Sequence, residues 1–313
     1  MAQFALQIEP QFGFTFDQAA SLAHECRASG YTALFASDHF LLDNAAKDRN
    51  CLDCWTLLAA LAVEVKDLRL GSLMTCMSYR NPALLAKIAS SVDMISGGRL
   101  EFGAGAGWKD VEYKAYGYEF PPPGERVDRF IEGIQIIKSL WTQPVTTFAG
   151  KYYRVEAAVA APKPVQKPHP PVLIGGSKPR MLRVMAQHAD AVNMGGAPDP
   201  KTYAESLSRL EAACQQEGTD FNRIRKSHFM SFVVGRNGAD VHARLTRVAA
   251  RENMTADEFR AKRPRTFIGT PAGAVDLLKR YTDLGVTQFM TVFPWQEEPE
   301  SMRLFADGVI PKV

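Results

Sequence analysis

The sequence predicts an α/β protein that folds as a (β/α)8 TIM barrel. Eight short apolar segments alternate with stretches whose apolar residues recur every three or four positions, as on one face of a helix. Strands that are apolar on both faces and separated by helices pair in parallel, and eight such units favour a closed barrel over an open sheet. The chain has 313 residues, of which 46% are hydrophobic and 23% are charged. This length suits one barrel domain over residues 1–313, with room for insertions.

The predicted strands follow one another at intervals that leave room for a helix between them. They cover, in chain order, residues 4–8, 32–36, 68–75, 100–103, 172–174, 189–193, 228–234 and 286–292. Capping residues mark several of the helices: Thr15 precedes the first helix, which Gly30 ends. Asn81 and Pro82 open the third helix, and Gly97 closes it in the left-handed conformation that suits glycine.

Two stretches are longer than a minimal barrel needs. Residues 108–171 follow the fourth strand and are predicted to contain a helix over 124–141, a hairpin around 148–154 and a Pro-rich run over 162–171. Residues 237–265 follow the seventh strand and are predicted to contain one or two polar helices. Insertions of this length in a compact domain are usually structured or functional.

Composition and charge exclude several classes of protein. The 37 Lys and Arg residues exceed the 34 Asp and Glu residues by three, too weak a balance for a protein that binds nucleic acid or a membrane surface. No apolar run approaches the ~20 residues that cross a bilayer, and the N-terminus lacks the pattern of an export signal. The five cysteines include Cys51 and Cys54, but no second pair or histidine cluster completes a zinc site. We therefore expect a cytoplasmic protein with reduced thiols and no metal.

Reactive side chains in a barrel collect at the carboxyl ends of the strands. Asp38 and His39 directly follow the second strand, and His39 is the best acid/base candidate because imidazole titrates near neutral pH. The alternative is a pair of residues in an ordinary surface loop. Glu9, Trp108 and Trp295 also follow strands, and we expect them to line the substrate pocket.

The segment after the fifth strand is a candidate anion site. Residues 175–180 read Gly-Gly-Ser-Lys-Pro-Arg and lie between a strand and a helix. Free backbone N–H groups, the positive end of the helix, and the side chains of Lys178 and Arg180 would together suit a phosphate. The alternative is a tight turn with solvated basic residues.

Glycine is frequent at three strand ends, in residues 105–108, 175–178 and 195–196, which suggests a wide ligand pressed against exposed backbone. Residues 103–107 are similar to a dinucleotide fingerprint, but they lack its final spacing and the acidic residue that should follow. A nicotinamide cofactor in a Rossmann fold is therefore not expected.

Motifs along nearly the whole chain carry a family resemblance. They are residues 37–40, 80–87, 93–100, 103–108, 124–126, 140–141, 150–153, 162–166, 170–176 and 189–190. Together they resemble the bacterial-luciferase-like superfamily of flavin- and deazaflavin-dependent barrel enzymes. The Asp-His-Phe junction at Asp38, His39 and Phe40 is most similar to the branch that uses coenzyme F420, an 8-hydroxy-5-deazaflavin hydride carrier.

The resemblance implies roles for individual residues. Asp38 would contact the deazaflavin, and His39 would face the reacting carbon. A cis peptide bond between Ser72 and Leu73 would form a bulge against the back of the ring. Residues at the ring edge would be Thr75, Ala106 and Gly107, and those holding the phosphate would be Gly175, Gly176, Ser177, Lys178 and Arg180.

One departure from the family limits the substrate. The sugar-phosphate dehydrogenases of the family carry an acid/base glutamate after the glycine motif, where this chain has Trp108. An indole cannot transfer a proton in that role, so a less polar small-molecule substrate is expected.

Three hypotheses follow. The first is hydride transfer between F420 and a small organic substrate. The second is a monooxygenase that uses O2 and reduced FMN supplied by a separate reductase, and the third is a non-catalytic flavin-binding protein. The resemblance also implies a homodimer.

Overall fold

The computed structural model describes residues 1–43, 45–194 and 199–313. Within them, eight parallel strands close into a barrel: the last strand pairs with the first, and the sixth pairs with the seventh. The barrel strands are β1 (Gln3–Ile8), β2 (Ala33–Ala36), β3 (Arg69–Ser72), β4 (Leu100–Gly105), β5 (Val172–Gly175), β6 (Ala191–Asn193), β7 (Arg225–Val234) and β8 (Val286–Val292). The predicted fold class is confirmed.

The strand bounds differ from the prediction in two informative places. β3 ends at Ser72, and the chain rejoins the sheet at Thr75–Cys76, which pairs with β4. β7 begins three residues before the predicted start, because residues 225–227 are polar or charged and pair with β6 nevertheless. A further strand that was not predicted, Thr266–Gly269, lies beside the end of β7.

Eleven α-helices lie within the described residues and surround the barrel or cover its ends. They are α1 (Phe16–Ala28), α2 (Cys54–Glu64), α3 (Pro82–Ser96), α4 (Asp110–Ala115), α5 (Pro123–Thr142), α6 (Pro179–His188), α7 (Pro200–Glu217), α8 (Gly238–Arg251), α9 (Ala256–Lys262), α10 (Pro271–Thr282) and α11 (Glu298–Gly308). The predicted caps are present: Thr15 forms a capping box with Gln18, Asn81 accepts a hydrogen bond from the Ala83 N–H, and Gly97 has φ 69°. None of the described helices is long and apolar enough to cross a membrane.

Both insertions are structured. The first contains α4, α5 and an antiparallel hairpin formed by Thr146–Ala149 and Arg154–Ala158. The second contains α8 and α9, as predicted. α4 was not predicted, because its six residues are too few to show a helical period.

The alternation of side chains along each strand separates two apolar clusters. One face of each strand packs against the helices in the main core, and the opposite face contributes a small cluster that includes Ala5, Phe35 and Met290. Towards the amino ends of the strands, buried Glu101 accepts hydrogen bonds from Arg69 and Arg225. Side chains thus fill the barrel towards the amino ends of its strands, and space for a ligand remains at the carboxyl ends.

Candidate active site

A cavity of about 700 Å³ opens at the carboxyl ends of the barrel strands. Its volume lies within the range of small-molecule and cofactor sites, roughly 300–1,000 Å³. Most of the predicted site residues line it, namely Glu9, Asp38, His39, Leu73, Thr75, Ala106, Gly107, Trp108, Gly175, Gly176, Ser177, Lys178 and Arg180. The fold therefore brings the acid/base candidate and the candidate anion-binding turn to one cavity.

His39 forms a hydrogen-bonded pair with a residue that sequence reasoning missed. Its Nδ1 atom lies 2.9 Å from Oε2 of Glu112, a residue of α4 that is fully buried. The ring of Trp108 stands edge-on to the imidazole with the centroids 5.8 Å apart, and Trp108 itself is 72% exposed at the lip of the cavity. The one available signal for Glu112 was its place in the segment directly after the glycine motif.

Glu112 is held as a carboxylate. Burial alone would raise the pKa of Glu112, but hydrogen bonds and charge from His39, together with the hydrogen bond from the Tyr79 hydroxyl, lower it to about 2. The Tyr79 hydroxyl donates to Oε2 over 2.7 Å, and the Phe40 N–H donates to Oε1 over 2.9 Å. At neutral pH this buried group therefore accepts hydrogen bonds and carries a negative charge.

Asp38 is fully engaged within the protein. Arg80 donates to both of its oxygens over 2.7 and 3.0 Å, and Thr75 Oγ1 and the Cys76 N–H donate to Oδ2 over 2.7 and 3.0 Å. Arg80 also pairs with Asp53 at the start of α2. The Asp38 side chain thus ties together the segments that follow β2 and β3, and its contact with a cofactor stays a prediction.

The candidate anion-binding turn lies between the end of β5 and the start of α6. Ser177 and Lys178 precede Pro179 at the first position of α6, so the positive end of the helix dipole faces this part of the cavity. Lys178 is exposed and forms no ion pair within the described ranges. Binding of an anion at this turn stays a prediction.

Arg180 has a carboxylate partner, and Arg126 has none within the described residues. Arg180 donates to the Gly124 carbonyl over 2.8 Å and pairs with Asp128, so α5 already engages its guanidinium. Arg126, which also lines the cavity, donates to the carbonyls of Gly107 and Pro121 and has no carboxylate partner within the described residues. Arg126 was not predicted as a site residue, although it lies in one of the family motifs.

The bulge after β3 is displaced by one residue from its predicted position. The cis peptide bond joins Leu73 and Met74, not Ser72 and Leu73. The reason is that Ser72 still pairs with Ala36, and the Leu73 N–H donates to the Ala36 carbonyl over 2.9 Å, so the chain leaves the sheet only after Leu73. Ser72 is buried outside the cavity lining and donates to the Gly103 carbonyl, whereas Leu73 and Met74 form part of the cavity wall.

Gly103 and Gly107 leave space that other groups of the protein occupy, and a ligand pressed against residues 105–108 stays a prediction. A Cβ atom on Gly103 would lie 1.9 Å from the Ser72 carbonyl oxygen. Gly107 has φ +84°, and its Cβ would lie 1.9 Å from the Tyr113 hydroxyl. Gly195 and Gly196 lie outside the described residues.

Of the two other residues predicted to line the substrate pocket, Glu9 lines the cavity and Trp295 does not. Glu9 lines the cavity, and burial raises the pKa of its carboxyl group, although the charges of His39 and Lys109 oppose that effect. Trp295 does not line it: its ring packs edge-on against Phe14 with centroids 4.4 Å apart and borders a separate depression of about 450 Å³. The prediction for Trp295 is therefore wrong, because β8 ends three residues earlier and the chain turns towards α11.

Comparisons with known proteins agree with this architecture. The family model described as luciferase-like monooxygenase matches residues 2–288. The F420-dependent glucose-6-phosphate dehydrogenase of Microbacterium testaceum is 24% identical over 306 residues, which cover 91% of this chain and 89% of the relative. The FMNH(2)-dependent dimethylsulfone monooxygenase of Pseudomonas putida is 30% identical over 180 residues, which cover 58% and 48%. The matches span about half the length of several relatives.

Among solved structures, an F420-dependent secondary alcohol dehydrogenase in complex with an F420-acetone adduct shares the fold. Its TM-score is 0.83, at 18% sequence identity, and the match covers 100% of this chain and 99% of that structure. At this identity the likeness concerns the fold alone.

Proposed function

The chain belongs to the luciferase-like monooxygenase family, and we propose that within it the protein is an oxidoreductase that uses coenzyme F420 to transfer hydride to or from a small organic substrate. The observation that supports this proposal best is the single cavity that has His39 on one side and the Gly175–Lys178 turn on another. His39 can therefore exchange a proton with a substrate, while the turn can bind an anionic group. Hydride transfer by a tricyclic cofactor that carries a phosphate requires both of these functions in one cavity.

The residues of the cavity fit such a group. Lys178 and Arg126 have no carboxylate partner within the described part of the chain, so both can neutralise a phosphate. Leu73 and Met74 offer an apolar wall to a flat ring. When bound, the deazaflavin would supply or accept a hydride at its C5 carbon.

The side chains around the cavity would control the proton and the class of substrate. In the reducing direction, protonated His39 gives its Nε2 proton to the carbonyl oxygen of the substrate as hydride adds to carbon, and an alcohol forms. In the oxidising direction, neutral His39 takes that proton back. Trp108 offers an apolar surface beside His39, which favours a substrate with an apolar body.

The fraction of this chain that each match covers supports an F420-dependent enzyme over the second candidate, an FMN-dependent monooxygenase. The F420-dependent relative aligns along 91% of the chain, and the FMNH(2)-dependent relative along 58%. The second candidate has the higher identity over its shorter match, and it would need reduced FMN from a separate reductase. Because Trp108 cannot act as a proton carrier, we do not expect sugar-phosphate oxidation, the activity in the name of the F420-dependent relative.

Cofactor titration tests the proposal. The purified protein is titrated with F420 and, separately, with FMN, and binding is followed by fluorescence quenching. We expect saturable micromolar binding of F420 and at least tenfold weaker binding of FMN. A Lys178→Ala variant should weaken the binding of F420, whereas Lys201→Ala, at the exposed start of α7, should leave it unchanged. Micromolar binding of FMN without any response to F420 would establish the second candidate instead.

A further inference from the structure

We propose that Glu112 is a positioning residue that fixes the tautomer of His39 and stabilises its protonated form. The inference rests on the proposed function, in which His39 exchanges a proton with the substrate. It adds to that function a residue from the insertion after β4, 73 positions away from His39 in the chain.

The surroundings of the Glu112 carboxylate hold it in one orientation. Oε2 accepts hydrogen bonds from the Tyr79 hydroxyl and from His39, over 2.7 and 2.9 Å. Oε1 accepts from the backbone N–H groups of Phe40 and Leu41, over 2.9 and 3.2 Å. Two of these donors directly follow His39 in the chain, so the carboxylate orients both the ring and the loop that carries it.

This arrangement determines which ring nitrogen of His39 carries the proton. An ionised carboxylate only accepts hydrogen bonds, so Nδ1 of neutral His39 must be the protonated nitrogen. Nε2 then keeps its lone pair and is free to act as a base. When His39 is protonated, Nε2–H is the donor that remains for the substrate oxygen, because Nδ1–H stays with Glu112.

Lys109 opposes the charge of Glu112. Its Nζ lies 3.2 Å from Oε1 of Glu112 and also donates to the Leu41 carbonyl, and the Lys109 side chain is only 14% exposed. The cluster is thus neutral when His39 is neutral and carries one positive charge when His39 is protonated, since Glu112 and Lys109 offset each other. Removing Glu112 or Lys109 should shift the His39 equilibrium in opposite directions.

Tyr79, Cys51 and Glu9 are further ionisable groups that interact with His39 or with Glu112. Burial raises the pKa of Tyr79 far above neutral pH and that of Cys51, whose thiol donates to the His39 carbonyl, to about 11. Both are therefore neutral in the working range. Glu9 contributes negative charge when it ionises, and burial raises its pKa. Among these ionisable groups, Glu112, which contacts the ring, and Lys109, which contacts Glu112, are therefore the pair whose removal should dominate the response.

The test is an NMR titration of the imidazole signals in the whole protein, without added cofactor. Long-range ¹H–¹⁵N correlations report the tautomer of each of the six histidines, and a His39→Ala variant identifies the His39 signals. We expect the Nδ1–H tautomer at high pH. Glu112→Gln should move the His39 titration midpoint to lower pH by about one unit or more, and Lys109→Met should move it to higher pH. Asp110→Asn, a control on the exposed side of α4, should leave the midpoint unchanged.

The outcomes separate this inference from the proposed function. An Nε2–H tautomer in the native protein, or midpoints that move in the same direction in both variants, would overturn it whatever the cofactor. If Glu112→Gln fails to fold, the tautomer of the native protein and the Lys109→Met titration still test the inference. Where F420-linked turnover is measured, the low-pH limb of the pH profile in the oxidising direction, or the high-pH limb in the reducing direction, should shift with the NMR midpoint. A protein without such turnover would contradict the proposed function while the NMR result stands.

Discussion

His39 is the residue on which the proposed chemistry depends most directly. Replacing it with alanine removes the proposed proton carrier but leaves the candidate anion-binding turn and the apolar wall of the cavity in place. His39→Ala should therefore lower F420-linked turnover by about 10²–10⁴-fold, the range typical of acid–base catalysis. Steady-state kinetics with F420 and a panel of carbonyl compounds and alcohols measures the loss, and fluorescence titration measures binding.

The matched control is His242→Ala, because His242 is exposed on α8 and does not line the cavity. It should retain both turnover and binding. Equal turnover in native protein and His39→Ala would contradict the catalytic role. Tight binding without turnover in the native protein would favour the non-catalytic flavin-binding hypothesis.

Single residues also show what a sequence can and cannot predict about a site. His39 and Lys178 were found because each directly follows a strand, and the barrel brings all strand ends to one rim. Glu112 and Arg80 were missed because their roles depend on contacts 73 and 42 residues away in the chain. Such contacts exist only after folding, and neither residue follows a barrel strand directly.

At the scale of secondary-structure elements, insertion helix α8 is tied to α11 by a buried charge network. Arg244 of α8 is 2% exposed and pairs with Asp240, Glu297 and Glu300. Breaking a buried ion pair by removing one partner commonly costs about 3–5 kcal/mol, because the remaining charge stays buried. Two of these three carboxylates are partly exposed, so Arg244→Met should lower the free energy of unfolding by about 2–3 kcal/mol.

Arg236→Met provides a control that shares one acceptor. Arg236 also pairs with Glu300, over 3.0 Å, but its side chain is 67% exposed. An exposed pair is worth less than about 1 kcal/mol, so this variant should remain close to native stability. Urea denaturation of both variants measures the difference. Equal losses would show that burial of Arg244 is not the source of the stabilisation.

The predicted and observed elements diverge where the pattern is short or polar. The helices with a cap and several turns, such as α1 and α3, were predicted close to their observed ends because the capping residues mark them. α4 is only six residues long, and the first residues of β7 are polar, so neither shows an apolar period. Contacts with neighbouring segments stabilise both elements. Glu112 of α4 is buried under the loop after β2 and accepts its backbone hydrogen bonds, and the first residues of β7 pair with β6.

At the scale of the whole molecule, closure of the barrel was predictable from the count of strands, whereas the dependence of stability on pH was not. One contribution comes from His228 of β7, which is 1% exposed between the rings of Tyr203 and Tyr281. Burial lowers its pKa from 6.5 to about 4. The unfolded chain therefore binds more protons than the folded one between these values, and stability is lost as the pH falls through that window. The expected loss is about 3 kcal/mol.

Glu298 of α11 contributes with the opposite sign. It is 6% exposed, and burial raises its pKa from 4.5 to about 7 despite opposing backbone hydrogen bonds. Here the folded protein binds more protons between the two values, so stability is lost as the pH rises through the window. This loss is also about 3 kcal/mol. The two windows overlap between roughly pH 4.5 and 6.5, where the contributions of His228 and Glu298 nearly cancel.

Removing either group should expose the contribution of the other. Relative to native protein, Glu298→Gln should lose stability more steeply as the pH falls from 6.5 to 4.5, because His228 then acts unopposed. His228→Phe should show the reverse, with stability that increases over the same fall in pH relative to native protein. Urea denaturation at a series of pH values measures each slope as a difference from native protein, so that other titrating groups cancel. Since the two residues lie on different elements, the double variant should return to the native slope. A double variant with the slope of either single variant would show that the two groups do not offset each other.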